Sequence, residues 1–391
     1  MKRGLIKRKL RRVDRALDKA IDAAEIPGAV VLARMSIQGE RVEHESVRGL
    51  AVVQPERIPM ERETIFDLAS LTKVMVTTSA ILILADEGLV QLDDPVAKML
   101  PAFAERGKAA VTIRHLLTHS SGLKPWRAFH ELLIEKEKKT GERLIATAVG
   151  RNWIIDRILR SGLVHEPGEA AVYGDLDFIV LGAVVEAVAK ESLDVFCEKR
   201  LFPPFGLENT RFLPLPADGL ADPSEALRSH PLRRRIAATE NCPWRGRILW
   251  GEVHDPNASA MGGVAGHAGL FSSADDVMRF AQTWLDVWHG RSDALPRDRV
   301  REFCERQNLP EGSDWALGWD TPSAGGSTSG RHFSVASIGH LGFTGTSLWI
   351  DLEREAIVVM LTNRAHRVAK KSRFELRPRI HDIILEAFRA G

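Results

Sequence analysis

The stretch Phe66-Asp67-Leu68-Ala69-Ser70-Leu71-Thr72-Lys73 leads into an apolar run from Val74 to Ala85. The run predicts a buried helix that carries Ser70 in its first turn. Residues three apart share one face of a helix, so the Ser70 hydroxyl and the Lys73 amine are expected to be neighbours. A desolvated lysine can take the proton that makes a serine hydroxyl nucleophilic. The unpaired N–H groups at the helix start favour a negative oxygen beside Ser70.

A second Ser-x-x-Lys match, Ser121 to Lys124, shows how little this spacing proves by itself. Gly122 lies inside it and Pro125 follows it, so it predicts a helix end running into a loop. A helix serine with a solvated lysine is the plain alternative for either match. Further residues must therefore decide whether Ser70 is a nucleophile.

The composition is that of a globular protein and excludes several classes of function. The chain has 391 residues, 44% of them hydrophobic, and a formal net charge of +2, which gives no indication of nucleic-acid binding. The length allows one large domain or two of ordinary size. Cys197, Cys242 and Cys304 are far apart, so neither a disulfide framework nor a metal spacing is visible. With no signal-peptide pattern and no span of transmembrane length, we expect a cytoplasmic protein.

The N-terminus combines a basic cluster with apolar residues at helical spacing. The basic residues are Lys2, Arg3, Lys7, Arg8, Lys9, Arg11 and Arg12, and the apolar ones are Leu10, Val13, Leu17, Ile21 and Ala24. A helix lying on a membrane surface would have this pattern. A terminal helix that docks its apolar stripe on the protein body is the interpretation we prefer.

Strand patterns lie at both ends of the chain and helical patterns in the middle. The predicted strands are 29–37, 41–50, 340–350 and 356–362, with a loop at 51–69 and a flexible loop at 321–331. One predicted helix begins at Asp93, and the others cover 113–119, 127–139, 142–161, 177–190, about 274–288 and 374–390. Residues 211–265 are predicted to form a long irregular connection. These patterns predict an α+β fold with one antiparallel sheet built from both termini, flanked by terminal helices, with an inserted mostly helical domain. Residues 1–69 and 266–391 would form the α/β sandwich lobe and 70–265 the helical lobe, with a cleft between them.

Other residues of this chain have chemistry that a cleft could use. Tyr173 is the only tyrosine, and a phenol beside a cation could relay a proton. The glycine-rich stretch 338–345 predicts the start of a strand whose edge N–H could complete an oxyanion hole, or a simple bulged edge. His115 and His119 have a metal-binding spacing, but no acidic residue adjoins His115, so we expect a supporting or core role. The chain has no Gly-x-Ser-x-Gly elbow, which disfavours an α/β-hydrolase triad.

Taken together, these motifs resemble the serine β-lactamase and penicillin-binding-protein superfamily, and most of all the class C β-lactamase-like esterases and peptidases. The matching segments, in the family's order, are Ser70-Leu71-Thr72-Lys73, His115 to Leu123, Tyr173-Gly174-Asp175, Gly266 to Ser272 and Gly339 to Gly345. The resemblance implies a sandwich lobe with a helical lobe, in agreement with the pattern.

The resemblance implies acyl transfer through a covalent serine ester. Ser70 would attack a carbonyl, and Lys73 and Tyr173 would share the proton transfers. The N–H groups of Ser70 and Phe343 would form the oxyanion hole. Further substrate-binding positions are His340, Gly342 and Asp175. No metal or cofactor is implied, the substrate would be a small ester, amide or peptide, and the oligomeric state stays open.

Two departures from the family pattern bear on substrate and mechanism. Where β-lactam-recognising members have Lys-Thr-Gly or Lys-Ser-Gly, this chain has His340-Leu341-Gly342, so a cation and a hydroxyl that would hold a substrate carboxylate are missing. We therefore expect weak or no β-lactamase activity and substrates without that carboxylate. Asp175 replaces the family's asparagine, and an ionised Asp175 would raise the pKa of Lys73. Tyr173 would then carry more of the base role, or Asp175 would turn away.

Several functions remain open from the sequence. The first is a carboxylesterase-like serine hydrolase, and the next is a D-amino-acid peptidase or amidase acting on cell-wall-type peptides, or a β-lactamase. A catalytically silent binding module is the alternative from another class. A metal hydrolase using His115 and His119 would lose activity with a chelator.

Overall fold

The computed structural model describes residues 2–215, 232–324, 326–366 and 375–389, with side chains from Gly4 onward. The strands are β1 (Gly28–Ile37), β2 (Glu40–Val52), β3 (Ile58–Pro59), β4 (Ile65–Asp67), β5 (Arg211–Phe212), β6 (Asn241–Cys242), β7 (Arg247–Ile248), β8 (Leu270–Ser273), β9 (Ser337–Leu341), β10 (Ser347–Asp351) and β11 (Ala356–Thr362). The α-helices are α1 (Lys2–Asp22), α2 (Ser79–Asp86), α3 (Ile113–Leu117), α4 (Phe129–Thr140), α5 (Ala148–Leu159), α6 (Leu176–Ala189), α7 (Leu193–Phe196), α8 (Phe202–Phe205), α9 (Pro256–Ala260), α10 (Ala274–Trp288), α11 (Arg297–Cys304) and α12 (Leu376–Phe388).

The main sheet joins the two ends of the chain. Its strand order is β3-β2-β1-β11-β10-β9, all pairs are antiparallel, and Ala29 of β1 lies opposite Thr362 of β11. The start of β1 is buried on both faces: Val31 packs with residues of α1 and α12, and Val30 packs into the larger core with α10. The predicted α+β fold, with one antiparallel sheet from both termini and terminal helices on it, is confirmed. The division into lobes at residues 69 and 265 stays a prediction.

The N-terminal helix docks its apolar stripe on the protein body. Val13 and Leu17 are fully buried against β1, β11 and α12, while Arg8 and Arg11 are exposed. Ala24 lies beyond the helix end and is exposed. This confirms the docking interpretation for the stripe. Among the described helices, none is both long and apolar enough to cross a bilayer.

Ser70 directly precedes a long buried helix, as the sequence predicts. The helix begins at Leu71, has π-helical hydrogen bonding over Lys73–Thr78 and continues as α2. Every residue of the π-helical segment is buried. Such wide turns recur at functional sites because they shift side chains around the helix axis.

The largest error of the sequence-based prediction is the strand 340–350. The structure has two strands there, β9 and β10, joined by the turn 342–346, so the glycine-rich stretch ends a strand and enters a turn. Gly345 has φ +108°, a conformation that favours glycine, and a Cβ on Gly342 would lie 2.0 Å from Thr346 Oγ1. Apolar residues lie on both sides of this turn and at Phe343 within it, which is why the stretch resembles one strand.

Smaller differences concern where elements begin and end. The predicted helix start at Asp93 is only a 3₁₀ turn at Val96–Lys98, because the Asp94 side chain accepts from the N–H of Gln91 and caps nothing in that turn. The predicted loop 51–69 contains β3 and β4, and helix 142–161 begins only at Ala148, capped by Thr147. Parts of three predicted segments lie outside the described residues: 216–231 of the long connection, Gly325 of the flexible loop, and Phe374 and Ala390 at the ends of the last helix.

Removing a docked side chain of α1 should destabilise the protein. Leu17→Ala deletes a fully buried side chain, and we expect the free energy of unfolding to fall by about 2–5 kcal/mol. Arg11→Ala, on the exposed face of the same helix, should change it by less than about 0.5 kcal/mol. Urea unfolding of both variants measures the difference, and equal stabilities would contradict the docking of α1.

Candidate active site

The turn before Ser70 is fixed by a buried carboxyl group. Asp67 accepts hydrogen bonds from the backbone N–H of Ala69 at 2.8 Å and of His254 at 2.6 Å. Burial raises the pKa of Asp67 above its usual range, although these two N–H groups act in the opposite direction. Ala69 has φ +47°, the left-handed region that alanine rarely adopts. Asp67 therefore holds a strained turn that presents Ser70 at the start of the helix.

Lys73 lies beside Ser70 and is completely buried. Its Nζ donates to Ser70 Oγ at 3.2 Å, to Asp175 Oδ1 at 2.7 Å and to the carbonyl oxygen of His267 at 3.4 Å. The side chain is 0% exposed. Three acceptors thus surround a group that has three protons to donate when it is charged.

The charge on Lys73 is maintained by Asp175. Burial lowers the pKa of Lys73, but the charges of Asp175 and Tyr173 and their hydrogen bonds outweigh burial and raise that pKa above its ordinary value. Lys73 is therefore an ammonium group at neutral pH. Because it donates to Ser70 Oγ, it does not accept the proton of Ser70 in this state. The sequence left open whether Asp175 lies beside Lys73 or turns away from it. In the structure Asp175 faces Lys73 and does not turn away.

The Tyr173 ring is packed between aromatic side chains at the mouth of the cleft. Its centroid lies 5.0 Å from Lys73 Nζ. The Trp315 ring stacks on it at 5.8 Å and 14°, and the His119 ring contacts it at 4.8 Å. The residue as a whole is 43% exposed. Tyr173 is thus next to the ammonium group and accessible from solvent.

The turn between β9 and β10 is fastened to the residues that precede Ser70. Thr344 Oγ1 donates to the carbonyl of Asp67 at 2.8 Å, and Thr346 Oγ1 donates to the carbonyl of Leu68 at 3.1 Å. Phe343 lies in this turn and is therefore brought to the same side as Ser70. Within the described parts of the chain, neither the N–H of Ser70 nor that of Phe343 donates to a protein acceptor. Two backbone donors are thus available beside the hydroxyl.

These residues line a cleft of about 600 Å³. Its lining includes Ser70, Trp126, Tyr173, Asp175, His254, Asp255, His267, Trp315, His340, Gly342, Phe343 and Arg377. Burial, and then the positive charge of Lys73, lower the pKa of His340 to about 3, so its imidazole is neutral. The guanidinium of Arg377 donates to the carbonyl of Gly342, and burial, with the charge of Arg364, lowers its pKa to about 9. The guanidinium of Arg377 is therefore a cation in the lining of the cleft that lies outside the motif at 340–342.

One group in the described part of the chain has side chains that could hold a metal ion. The ligand atoms of Asp175, Asp255 and His267 lie within 4.8 Å of one another, and His267 Nε2 is 2.9 Å from Asp255 Oδ1. The ammonium group of Lys73 already donates to one oxygen of Asp175, so this carboxylate has a cationic partner within the protein. The predicted alternative pair, His115 and His119, does not belong to this group. The Nδ1 atom of His115 faces Thr112, and the Nδ1 atom of His119 faces Gly174 and Asp177.

The structure brings together all the residues that the sequence singled out for this site. Sequence reasoning missed several of their neighbours, namely Asp67, Trp315, Arg377 and the buried Asp177. Asp67 lies within the first quoted stretch, and its acidic side chain in an apolar segment was a usable signal. Arg377 lies 35 residues after Gly342 on a separate helix, and no local pattern connects the two.

Comparisons with known proteins agree with this fold and motif set. The Beta-lactamase family matches residues 13–380 of the chain. A protein of Escherichia coli (strain K12) named "Putative D-alanyl-D-alanine carboxypeptidase" is 30% identical over 386 residues, which is 93% of this chain and 84% of that protein. A Salmonella typhi protein of the same name is 31% identical over 313 residues, 78% of this chain and 70% of its own length.

Solved structures share the fold at lower identity. EstCE1, described as a hydrolase with promiscuous acyltransferase activity, has a TM-score of 0.70 at 22% identity, covering 98% of this chain and 99% of its own. The penicillin-binding protein homologue from Pyrococcus abyssi has a TM-score of 0.70 at 21% identity, covering 97% of this chain and 77% of its own. Because the family match spans nearly the whole chain, the protein belongs to the Beta-lactamase family and is a serine hydrolase of that superfamily.

Proposed function

We propose that this protein is a carboxylesterase-like serine hydrolase that cleaves a small ester or amide through an acyl-serine intermediate. The observation that carries the proposal is the contact of 3.2 Å between Ser70 Oγ and Lys73 Nζ in an open cleft. A buried cation beside a serine hydroxyl, with two unpaired N–H groups at hand, favours the charge that develops when a hydroxyl attacks a carbonyl.

In the proposed mechanism, Tyr173 reacts as a phenolate beside the ammonium of Lys73. It takes the proton of Ser70 and becomes a neutral phenol, while the ammonium stabilises the negative charge that passes from the phenolate oxygen to Ser70 Oγ. Ser70 Oγ forms a bond to the substrate carbonyl carbon, and the N–H groups of Ser70 and Phe343 bind the resulting oxyanion. Tyr173 then gives its proton to the leaving oxygen or nitrogen as the scissile bond breaks. A water molecule releases the acyl group by the same steps in reverse order. Asp175 keeps Lys73 charged and in place throughout.

The lining of the cleft supports a small, partly apolar substrate. Phe343 is 71% exposed and stacks on His254 at 5.1 Å, and Trp126 is 44% exposed at the same cleft. Exposed aromatic side chains in a concave site are available for apolar contact with a ligand. His340 is neutral and Leu341 has no polar side-chain atom, so neither offers a charge to a substrate carboxylate.

Arg377 favours a second candidate function, a peptidase acting on a peptide that ends in a carboxylate. The sequence-based argument that the carboxylate-holding cation is missing applies to residues 340 and 341 but not to the cleft as a whole, because Arg377 lines it. A guanidinium is suited to bind a carboxylate through two N–H groups. The name that the Escherichia coli and Salmonella typhi relatives share, D-alanyl-D-alanine carboxypeptidase, is consistent with such a substrate.

Removing the proposed nucleophile should abolish ester hydrolysis. We expect Ser70→Ala to lower kcat/KM for p-nitrophenyl acetate and butyrate by about 10³-fold or more. Ser79→Ala is the matched control, because that hydroxyl lies on the same helix but bonds the carbonyl of Val74, away from the cleft. Equal rates for Ser70→Ala and wild type would favour the catalytically silent binding module.

Turnover of a cephalosporin by the wild type at a rate near that for the ester would contradict the expected weak or absent β-lactamase activity.

Replacing Asp175 by the amide should make the base available at lower pH. In Asp175→Asn the carboxylate that pairs with the ammonium of Lys73 is gone. That ammonium, 5.0 Å from the Tyr173 ring, then stabilises a Tyr173 phenolate without a competing negative charge. We expect the rising limb of kcat/KM against pH to move to lower pH by about 1–3 units. Asp94→Asn is the control, since Asp94 pairs with Lys98 and does not line the cleft. A limb that stays in place in Asp175→Asn would show that Asp175 is not coupled to the base.

The role of Arg377 separates the two candidate substrates. If a peptide carboxylate binds it, Arg377→Gln should lower kcat/KM for a D-alanyl-D-alanine peptide by about 10–100-fold, the cost of a charge-assisted hydrogen bond. Hydrolysis of a neutral ester should be nearly unchanged, and Arg379→Gln, exposed on the same helix, should affect neither. Equal losses for both substrates would mean that Arg377 only supports the turn at Gly342. If the wild type does not hydrolyse the peptide at all, the peptidase function is excluded and the esterase function remains.

A further inference from the structure

His119 accepts hydrogen bonds from the residues immediately before and after Tyr173 in the chain. Its carbonyl oxygen accepts from the N–H of Val172 at 2.9 Å, and its Nδ1 accepts from the N–H of Gly174 at 3.3 Å. Its ring packs on the Tyr173 ring with 4.8 Å between centroids and touches Trp315 at 4.5 Å. The two residues that flank Tyr173 are therefore both bound to one buried histidine.

His119 is in turn bound to a buried carboxyl group. Asp177 Oδ2 lies 3.3 Å from His119 Nδ1, and the hydroxyl of Ser121 donates to Asp177 Oδ1. The side chains of His119 and Asp177 are 0% and 4% exposed. Neither group lines the cleft, so neither can reach a substrate, and the pair has to act through the residues that it holds.

The hydrogen-bond pattern determines where the protons are. The N–H of Gly174 donates to Nδ1 of His119, which places the ring proton on Nε2, a buried atom with no hydrogen-bond partner among the described residues. The contact between Asp177 Oδ2 and that same Nδ1 is then attractive only if the carboxyl group is protonated and donates, sharing the single lone pair of Nδ1 with the N–H of Gly174 in two contacts of 3.3 Å. An ionised Asp177 would either face a lone pair or force the proton of His119 onto Nδ1, and Gly174 would lose its acceptor.

We propose that His119 and Asp177 form a positioning pair for Tyr173 that works only while Asp177 carries a proton. The pair holds the backbone on either side of Tyr173 so that the phenol oxygen stays beside Lys73 and Ser70. This inference rests on the proposed proton-transfer role of Tyr173.

The electrostatic environment supports a protonated Asp177 at neutral pH. Burial raises the pKa of Asp177 to about 8, against the opposing effect of its hydrogen bond from Ser121. The charged or titratable groups that act on it are Lys73, His165, Asp175 and the neighbouring His119. Burial, and then the charge of Lys73, lower the pKa of His119 to about 3, so its imidazole stays neutral. Above pH about 8 the proton leaves Asp177 and the pair should loosen.

The pH dependence of kcat tests the proton on Asp177. We expect kcat for p-nitrophenyl butyrate to decline in wild type above pH about 8. Asp177→Asn carries a permanent donor toward Nδ1, so it should keep kcat near the wild-type value at pH 7 and lose this part of the decline. The same alkaline decline in both proteins, or a large loss of kcat in Asp177→Asn at pH 7, would overturn the inference.

His119→Phe tests the positioning itself, because it keeps a ring against Tyr173 and removes the acceptor for Gly174. We expect kcat to fall by about 10–100-fold with KM nearly unchanged, and the double variant with Tyr173→Phe to be no slower than Tyr173→Phe alone. A thermal melt confirms that each variant is folded. If Tyr173→Phe is inactive and His119→Phe fully active, the inference is wrong and the proposed function stands. If Tyr173→Phe is fully active, the proposed role of Tyr173 fails and the inference with it.

Discussion

The ion pair between Lys73 and Asp175 is the interaction on which the rest of the site depends. A fully buried ammonium group is unfavourable unless a charge and hydrogen bonds compensate it, and Asp175 at 2.7 Å supplies both. The pair is held at the start of α6 on one side and in the helix after Ser70 on the other. It thereby fixes a positive charge beside the Ser70 hydroxyl and the Tyr173 ring. A neutral lysine base is correspondingly hard to form, and we therefore propose Tyr173 for the base role.

The fold provides this arrangement by bringing distant segments to one cleft. The Ser70 turn, the 342–346 turn and the segment around Tyr173 come from three separate parts of the chain. The hydroxyls of Thr344 and Thr346 tie the first two together through the backbone carbonyls of Asp67 and Leu68. The Asp67 carboxyl group fixes the Ser70 turn itself by accepting from the N–H of Ala69. His119 ties down the third. Several polar side chains near the site therefore have a structural role, because they hold backbone groups in position around the reacting atoms.

Local sequence patterns predicted the features that depend on local periodicity. The helix after Ser70, the strand Ala356–Thr362 and the docking of α1 follow from buried apolar residues at regular spacing. The prediction for 340–350 failed because the turn in it is held by hydrogen bonds from Thr344 and Thr346 to the carbonyls of Asp67 and Leu68, and a local pattern does not show such distant contacts. The predicted Asp93 helix failed because Asp94 caps a loop N–H instead.

The site could be predicted only as far as its motifs extend along the chain. Ser70, Lys73, Tyr173 and the 340–345 segment each have a recognisable surrounding sequence, and their order identified the superfamily. Arg377 and Asp177 have none, because their importance arises from burial and from contacts that only the fold creates. The sequence did predict that Asp175 would raise the pKa of Lys73, and the structure supplies the contact of 2.7 Å through which it does so.

The most direct test of the central claim is to isolate the acyl-enzyme during ester hydrolysis. The protein is quenched in acid while it turns over p-nitrophenyl butyrate, digested, and its peptides are analysed by mass spectrometry. The account predicts one butyryl group on the peptide that contains Ser70, and no adduct in Ser70→Ala. An adduct on another residue, or steady turnover that leaves Ser70 unmodified under conditions where acylation precedes release, would contradict it.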